Sequence, residues 1–310
     1  MRVLITGALG AIGVWTMRSL LERGHEVVAF DVGDDRHRIP IALDADQAAA
    51  VTHVRADITD LAAVERVLDE HAITSVIHLA ALQVPFVRAD PVLGASVNVV
   101  GTVNVLEAVR RRMDRVRTVV YASSIAVYGA GGTLAADDHP GTLYGAYKRA
   151  NENTALRYFE DYGLPSIGLR PHTVYGPGRD QGLTSAPTTA MVCAAAGVAF
   201  RIPFGGSAQL QYAPDVGEAF VRATELDHDG ATVCDLGGPV VAMSDLAAMI
   251  DREGLITAAE DPLPFPSQVD GSAFAALMSH SVFRSVQDGV TDARARFEAL
   301  LADGRVDHPA

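Results

Sequence analysis

Apolar and polar positions along the first 170 residues alternate between two textures. Short β-branched runs at Val3–Thr6, Val27–Phe30, Thr52–Arg55, Ser75–Leu79, Thr118–Ala122 and Ser166–Leu169 predict strands. Helical spacing predicts Ile12–Arg23, a helix from Thr59 or Asp60 to Glu70, Asp90–Arg112, and Tyr144–Tyr162 stopped by Gly163. The polar segment Asp34–Ala50 reads as partly loop. Strands separated by whole helices require right-handed crossovers and hence a parallel sheet. Helices covering both faces explain strands that are apolar throughout. After Arg170 the texture changes: Gly176–Pro187 is rich in Gly, Pro, Thr and Ser, and Pro203–Ser207 is turn-rich. Thr188–Ala196, Ser244–Arg252 and Thr291–Ala302 read as helices, Thr232–Asp235 as a strand, and Asp261–Pro266 as a Pro-rich linker. The expected class is α/β, a doubly wound parallel sheet over 1–175 with a smaller substrate-binding part over 176–310. One strand or helix of the second part is free to return to the first.

Composition narrows the function. With 49% apolar and 20% charged residues among 310, the chain is an ordinary globular one. Lys+Arg 25 against Asp+Glu 38 gives a net charge of −13, which repels nucleic acid and anionic membranes over a Debye length of about 8 Å. Any anionic ligand must then be held by a local device such as a helix N-terminus or a few placed arginines. Apolar runs such as Val116–Val127 are interrupted before spanning length, so no membrane segment is expected. Met1-Arg2 leads straight into a strand pattern, which predicts no signal peptide and a cytoplasmic protein. Cys193 and Cys234 read as small core hydrophobes, and no metal site is expected.

The first strand runs into Thr6-Gly7-Ala8-Leu9-Gly10-Ala11-Ile12-Gly13 and then a helix. Gly7 permits the sharp turn, Gly10 a close approach to a pyrophosphate, and Gly13 close packing of helix on strand, as in a Rossmann-type dinucleotide turn. Amides at the helix start offer partial positive charge to the diphosphate. Asp31, 18 positions after Gly13, ends the second strand. There a carboxylate accepts both adenosine ribose hydroxyls and repels a 2′-phosphate, which favours NAD over NADP. Arg36 and Arg38 read either as partners of a 2′-phosphate or as loop charges. Asp57 accepts from an adenine amino group or caps the next helix. His78 is a core histidine or a neighbour of the ribose, and Leu79, Ala80 and Ala81 leave room for the cofactor.

Tyr144 and Lys148 lie four apart, so both face one side of their helix. A phenol of ordinary pKa near 10 is a weak base at neutral pH, and an adjacent ammonium favours phenolate. Tyr144 then takes a proton from a substrate hydroxyl while hydride leaves the same carbon. Ser124, at the C-terminal end of the fifth strand, faces the ligand crevice and bonds the reacting oxygen. Asn98 braces the site or ties down a water or backbone group.

These motifs together resemble the extended short-chain dehydrogenase/reductases, the NAD-dependent epimerase/dehydratase family. The resemblance runs through Thr6–Gly13, Asp57–Asp60, His78–Ala81, Asn98–Thr102, Ser123–Gly129, Tyr144–Lys148 and Leu169–Gly178. It implies Tyr144 as acid/base, Lys148 as its partner and Ser124 as the third catalytic group. It also implies cofactor contacts from Gly7, Gly10, Ala11, Ile12, Gly13, Asp31, Asp57, Ile58, Leu79, Ala80, Ala81, Asn98, Tyr144, Lys148, Pro171 and His172. A homodimer built from the 90–112 and 144–162 helices follows from the same resemblance, with Tyr147 at its interface.

The sequence departs from nucleotide-sugar members at two places. Thr173 stands where they commonly carry Asn, and Ala208–Val216 lacks the arginine they place there, leaving Arg201, Arg222 and Arg284 nearby. The first reading is therefore net dehydrogenation or reduction of a small sugar, sugar acid or polyol. The alternatives are a nucleotide-sugar 4-epimerase with retained NAD and a non-catalytic NAD sensor. A dehydratase fits poorly, because Ser124 is followed by Ile125 and Ala126 instead of acidic residues. Gln83, Ser124, Thr173, Thr184 and Ser185 are the expected substrate contacts, and His172 is expected to pack or hydrogen-bond near the nicotinamide edge.

Overall fold

The computed structural model describes every residue except 130–131, 136, 252, 279–282, 307–308 and 310. Its strands are β1 (Arg2–Thr6), β2 (Glu26–Asp31), β3 (Thr52–Arg55), β4 (Ser75–His78), β5 (Val119–Ala122) and β6 (Ser166–Arg170). They continue with β7 (Thr173–Tyr175), β8 (Phe200–Ile202), β9 (Ser207–Tyr212), β10 (Ala231–Asp235), β11 (Val240–Ala242) and β12 (Ile256–Ala258). Seven of them form one parallel sheet in the order β10-β6-β5-β4-β1-β2-β3. The order reverses beside β1, the switch point where open α/β sheets bind ligands. A three-stranded sheet, β11-β9-β7, and the pair β12-β8 stand beside it. The large sheet thus draws strands from both sides of residue 175.

The helices are α1 (Ala11–Glu22), α2 (Ile39–Ala42), α3 (Ala45–Ala50), α4 (Leu61–Glu70), α5 (Val84–Ala89), α6 (Pro91–Ala95) and α7 (Gly101–Arg110). After them come α8 (Leu143–Tyr162), α9 (Ala186–Ala196), α10 (Ala213–Glu225), α11 (Met243–Ile250), α12 (Ser272–Met278) and α13 (Val286–Ala302). Alternate residues of the strands serve opposite layers. Val3, Ile5, Val27 and Ala29 pack in the core shared with α1 and α10, whereas Leu4, Val28 and Phe30 pack with α4 and α7.

Local chemistry explains the boundaries. Asp60 caps α4 by accepting from the Ala63 amide, and Thr142 caps α8 by accepting from Gly145 N at 3.0 Å. Gly163 ends α8 at φ +71°, the left-handed conformation that suits glycine. Within 34–50, Asp44 and Gln47 form a capping box that starts α3, so this segment is more helical than expected.

The long helix expected over Asp90–Arg112 is present as the continuous run Pro91–Arg110, with a π-helical turn inside it. Pro91 opens α6 under an Asp90 cap, a π-helical turn occupies Ser96–Val100, and α7 ends at Arg110. The widened turn has a cause: the Asn98 carbonyl accepts from Thr102 Oγ1 at 2.7 Å and from Asn151 Nδ2 at 2.8 Å. This 20-residue run, Pro91–Arg110, is long and apolar enough by composition to cross a membrane, which the sequence reading overlooked. In the fold it packs against α4 and α8. The last helix begins at Val286 under a Ser285 cap instead of at Thr291. Gly289 lies inside it because a Cβ there would meet Tyr175 Oη at 2.0 Å.

Helix α10 was not read from the sequence, yet it is the closest partner of α1. At Gly217 a Cβ would lie 2.7 Å from the Trp15 carbonyl carbon. Gly217→Ala is therefore expected to destabilise the fold by about 1–3 kcal/mol through overpacking. Thermal unfolding checks this, and an unchanged midpoint would contradict the packing.

Candidate active site

The crevice begins at the C-terminal ends of β1, β4 and β5. Gly7 turns the chain at φ +68° and donates its amide to Phe30 O at 2.9 Å. A Cβ on Gly7 would lie 2.6 Å from Ala80 N, and one on Gly13 2.5 Å from Ala8 O. Bare backbone is therefore obligatory at both positions. Helix α1 starts after Gly10 with no side-chain cap and no acidic residue in its first turn, so the amides of Ala11, Ile12 and Gly13 are open to an anion. Asp31 accepts from Leu9 N at 3.0 Å and Gly33 N at 3.1 Å, which places its carboxylate against the glycine turn. Leu79, Ala80 and Ala81 line the floor, with Leu79 N and Ala80 N bonded to Thr6. This cradle fits a dinucleotide.

Other expected cofactor contacts are engaged within the protein. Asp57 accepts from Thr59 N at 2.8 Å, and Ile58 is buried with its carbonyl accepting from Asn104. Asn98 clamps Leu82 through both its amide groups, at 2.7 and 2.9 Å, and so fixes the loop after β4. His78 is a buried core histidine, bridging Thr6 Oγ1 at 2.7 Å and Thr102 Oγ1 at 3.0 Å. Desolvation pushes its pKa down to about 3. His172 contacts Thr173 Oγ1 and Pro266 O, and Pro171 O accepts from Ile125 N. Burial holds His172 at about 4, so its ring is neutral.

Ser124 caps a 3-10 turn by accepting from Ala126 N at 3.1 Å. The first turn of α8 lies directly on that turn, since a Cβ on Gly145 would be 2.0 Å from Ala126 O. This contact sets Tyr144 beside Ser124, whose hydroxyl pulls the phenol pKa down. Buried Lys148 lies one turn on, its Nζ 5.7 Å from the Tyr144 ring centre and donating to Ala122 O at 2.6 Å. Desolvation raises the Tyr144 phenol above its ordinary value, and Ser124 and Arg179 pull it back. Burial lowers Lys148 itself to about 8, against the pull of Glu152.

Behind Lys148 lies a buried charge network. Arg170 donates to both oxygens of Glu152 at 2.7 Å and to Tyr128 Oη at 2.7 Å, while Tyr128 donates to Asp235 at 2.6 Å. It ties β6, β10, α8 and the loop after the 3-10 turn together behind Tyr144 and Lys148.

On the substrate side, Gln83 and Thr184 converge on Arg179, which sequence reasoning missed. Arg179 Nη1 donates to Gln83 Oε1 at 3.2 Å and Nη2 to Thr184 Oγ1 at 3.3 Å. Its Nε is buried without a partner. Gly182, at φ +101°, leaves room for Gln83, whose Oε1 would lie 2.0 Å from a Cβ there. Ser185 turns its hydroxyl to Gly182 O at 3.0 Å. Thr173 is fully buried and bonded to His172, away from this group. Tyr147 donates its hydroxyl to Pro91 O at 3.1 Å within the chain. Among the described residues no cluster of His, Cys, Asp and Glu could hold a metal.

A family model described as NAD dependent epimerase/dehydratase matches residues 3–235. The chain belongs to this family. UDP-glucuronate 4-epimerase 3 of Arabidopsis thaliana is 36% identical over 185 residues, covering 56% of this chain and 43% of the relative. Protein CapI of Staphylococcus aureus is 33% identical over 186 residues, 57% of this chain and 55% of that one. The chain thus spans about half the length of the curated relatives it matches. Among solved structures, UDP-glucose 4-epimerase of Thermus thermophilus in complex with NAD has a TM-score of 0.79 at 27% identity, covering 96% and 99% of the two chains. The family is NAD-dependent, and the cradle described above suits that cofactor.

The two neutral histidines set a pH dependence. Both are depressed below the ordinary 6.5, so the unfolded chain binds more protons below that pH. Stability is expected to fall as pH drops from 6.5 toward 4, by about 2 kcal/mol per histidine at about pH 5. A His78→Gln/His172→Gln variant should show a flatter slope of unfolding free energy against pH, and an unaltered slope would refute the assignment.

Proposed function

We propose that this chain is an NAD-dependent oxidoreductase acting at a secondary alcohol or ketone of a sugar acid, with Arg179 receiving the substrate carboxylate. Arg179 carries the reading. Among the described residues it pairs with no carboxylate, its Nε is orphaned, and burial lowers its pKa. A half-buried cation with a buried, unpartnered Nε is costly, and a planar guanidinium accommodates a carboxylate through two parallel bonds. Tyr144 lies close enough to interact electrostatically with Arg179, so an acid group held there leaves a hydroxyl of the same molecule near the phenol.

NAD supplies the hydride acceptor when bound. Tyr144 Oη takes or returns the hydroxyl proton, and Ser124 Oγ bonds the reacting oxygen. Lys148, anchored on Ala122 O, holds a positive charge beside the cofactor cradle. The phenol rests neutral, so its proton-accepting form arises during reaction and is favoured by Arg179 and Ser124.

The remaining arginines support a substrate without a diphosphate. Arg222 is paired with Glu218 and Arg284 with Asp215, while Arg201 is exposed on β8. Gln209 and Gln211 on β9 spend their amides on Val269, Gly237 and the His172 amide. The identity to UDP-glucuronate 4-epimerases favours a second reading, 4-epimerisation of a nucleotide uronate with retained NAD, which offers the same carboxylate to Arg179. Exposed Val92, Leu93, Val100, Leu143 and Leu156 on α6–α8 support a homodimer through these helices.

Hexuronates should yield net NADH, whereas UDP-hexuronates inverted at C4 without net NADH would establish the second reading. Tyr144→Phe is expected to abolish turnover while calorimetry still detects NAD binding. Arg179→Met is expected to raise KM for the acid substrate about 10- to 100-fold, the loss of a charge-assisted bidentate bond.

A further inference from the structure

Asp180 follows Arg179 in the chain and is the carboxylate whose charge acts on it. It is held elsewhere. Arg38 Nε donates to both Asp180 oxygens at 3.1 Å, and Arg38 Nη2 donates to Oδ1 at 2.6 Å. His37 Nε2 contacts Oδ2 at 2.9 Å. The same guanidinium donates to Gly178 O and to Leu9 O, each at 3.1 Å. Trp15 Nε1 adds a bond to Pro177 O at 2.8 Å. The segment 177–180 is thereby fastened to the glycine turn, and the Arg38 side chain is only 12% exposed. Arg38 is no solvated loop charge, because its Nε, Nη1 and Nη2 each hold an acceptor within the protein.

We propose that Arg38 is a positioning residue that sequesters Asp180 and so keeps the Arg179 guanidinium open for an anionic substrate group. This rests on the reading of Arg179 given above. Arg38, His37 and Arg179 meet Asp180 and Asp35 here, and with Asp180 held by Arg38 and His37 and Asp35 by His37, neither acid pairs with Arg179. Bidentate geometry gives Asp180 to Arg38, while the weaker neutral contacts to Gln83 and Thr184 are left to Arg179. With Arg38 removed, Asp180 keeps only His37 and stands next in the chain to Arg179, on which its charge already acts.

The test is calorimetric binding of D-galacturonate, and in parallel UDP-glucuronate, to the NAD-loaded protein. Arg38→Gln is expected to weaken binding of whichever probe the protein takes by about tenfold or more. The double variant Arg38→Gln/Asp180→Asn should return to within about threefold of wild type, because no carboxylate remains to capture Arg179. A double variant as weak as Arg38→Gln, or an Arg38→Gln protein that binds like wild type while Arg179→Met does not, overturns the proposal. Undiminished binding by Arg179→Met instead overturns the reading of Arg179 itself. Trp15, the single tryptophan, reports whether the segment stays seated. Wild-type emission is expected in Arg38→Gln, and a shift that Asp180→Asn fails to reverse counts against the proposal.

Discussion

At Gly145 the first turn of α8 rests on the Ala126 carbonyl with no space for a side chain between them. Everything reactive in the crevice depends on that approach. It sets Tyr144 beside Ser124, because Ser124 caps the same turn to which Ala126 belongs. The glycine turn uses the same device twice, with Gly7 against Ala80 and Gly13 against Ala8. Backbone contacts of this kind are stiff, since neither partner has a rotamer to adjust. The Arg170–Glu152 pair locks α8 from behind, so the helix that carries Tyr144 and Lys148 is fixed on two sides.

Much of this was legible in the sequence because the signals are local. Strand runs, the three glycines and the four-residue spacing of Tyr144 and Lys148 each specify geometry over a few residues, and the parallel sheet follows from their alternation. The long helix was legible because Asp90-Pro91 is a cap followed by a helix-initiating proline, but the π-helical turn inside it was not. At the widened turn the Asn98 carbonyl accepts from Asn151, which lies 53 positions away. Helix α10 escaped because Pro214 and Gly217 look like breakers; one sits in its first turn and the other makes room for Trp15.

Arg179 was illegible for a different reason. Its importance lies in a missing partner, and a sequence lists charges without saying which of them neutralise one another. Arg38 shows the reverse. Arg36 and Arg38 after Asp31 read as loop charges or as phosphate partners, yet the carboxylate that engages Arg38 lies 142 positions downstream. In a chain with a net charge of −13, most of the described arginines are paired with acids, and among those without a carboxylate partner Arg179 has a buried Nε that finds no acceptor.

Strand β10 completes the sheet by pairing with β6 across a gap that holds all of β7, β8, β9 and α10. During synthesis, β6 must therefore wait with an unsatisfied hydrogen-bonding edge until residue 235 has left the ribosome. An apolar edge left bare is a template for a neighbouring chain. A fragment cut near residue 175 would keep its dinucleotide turn and expose that edge for good, so it should aggregate more readily than the whole chain.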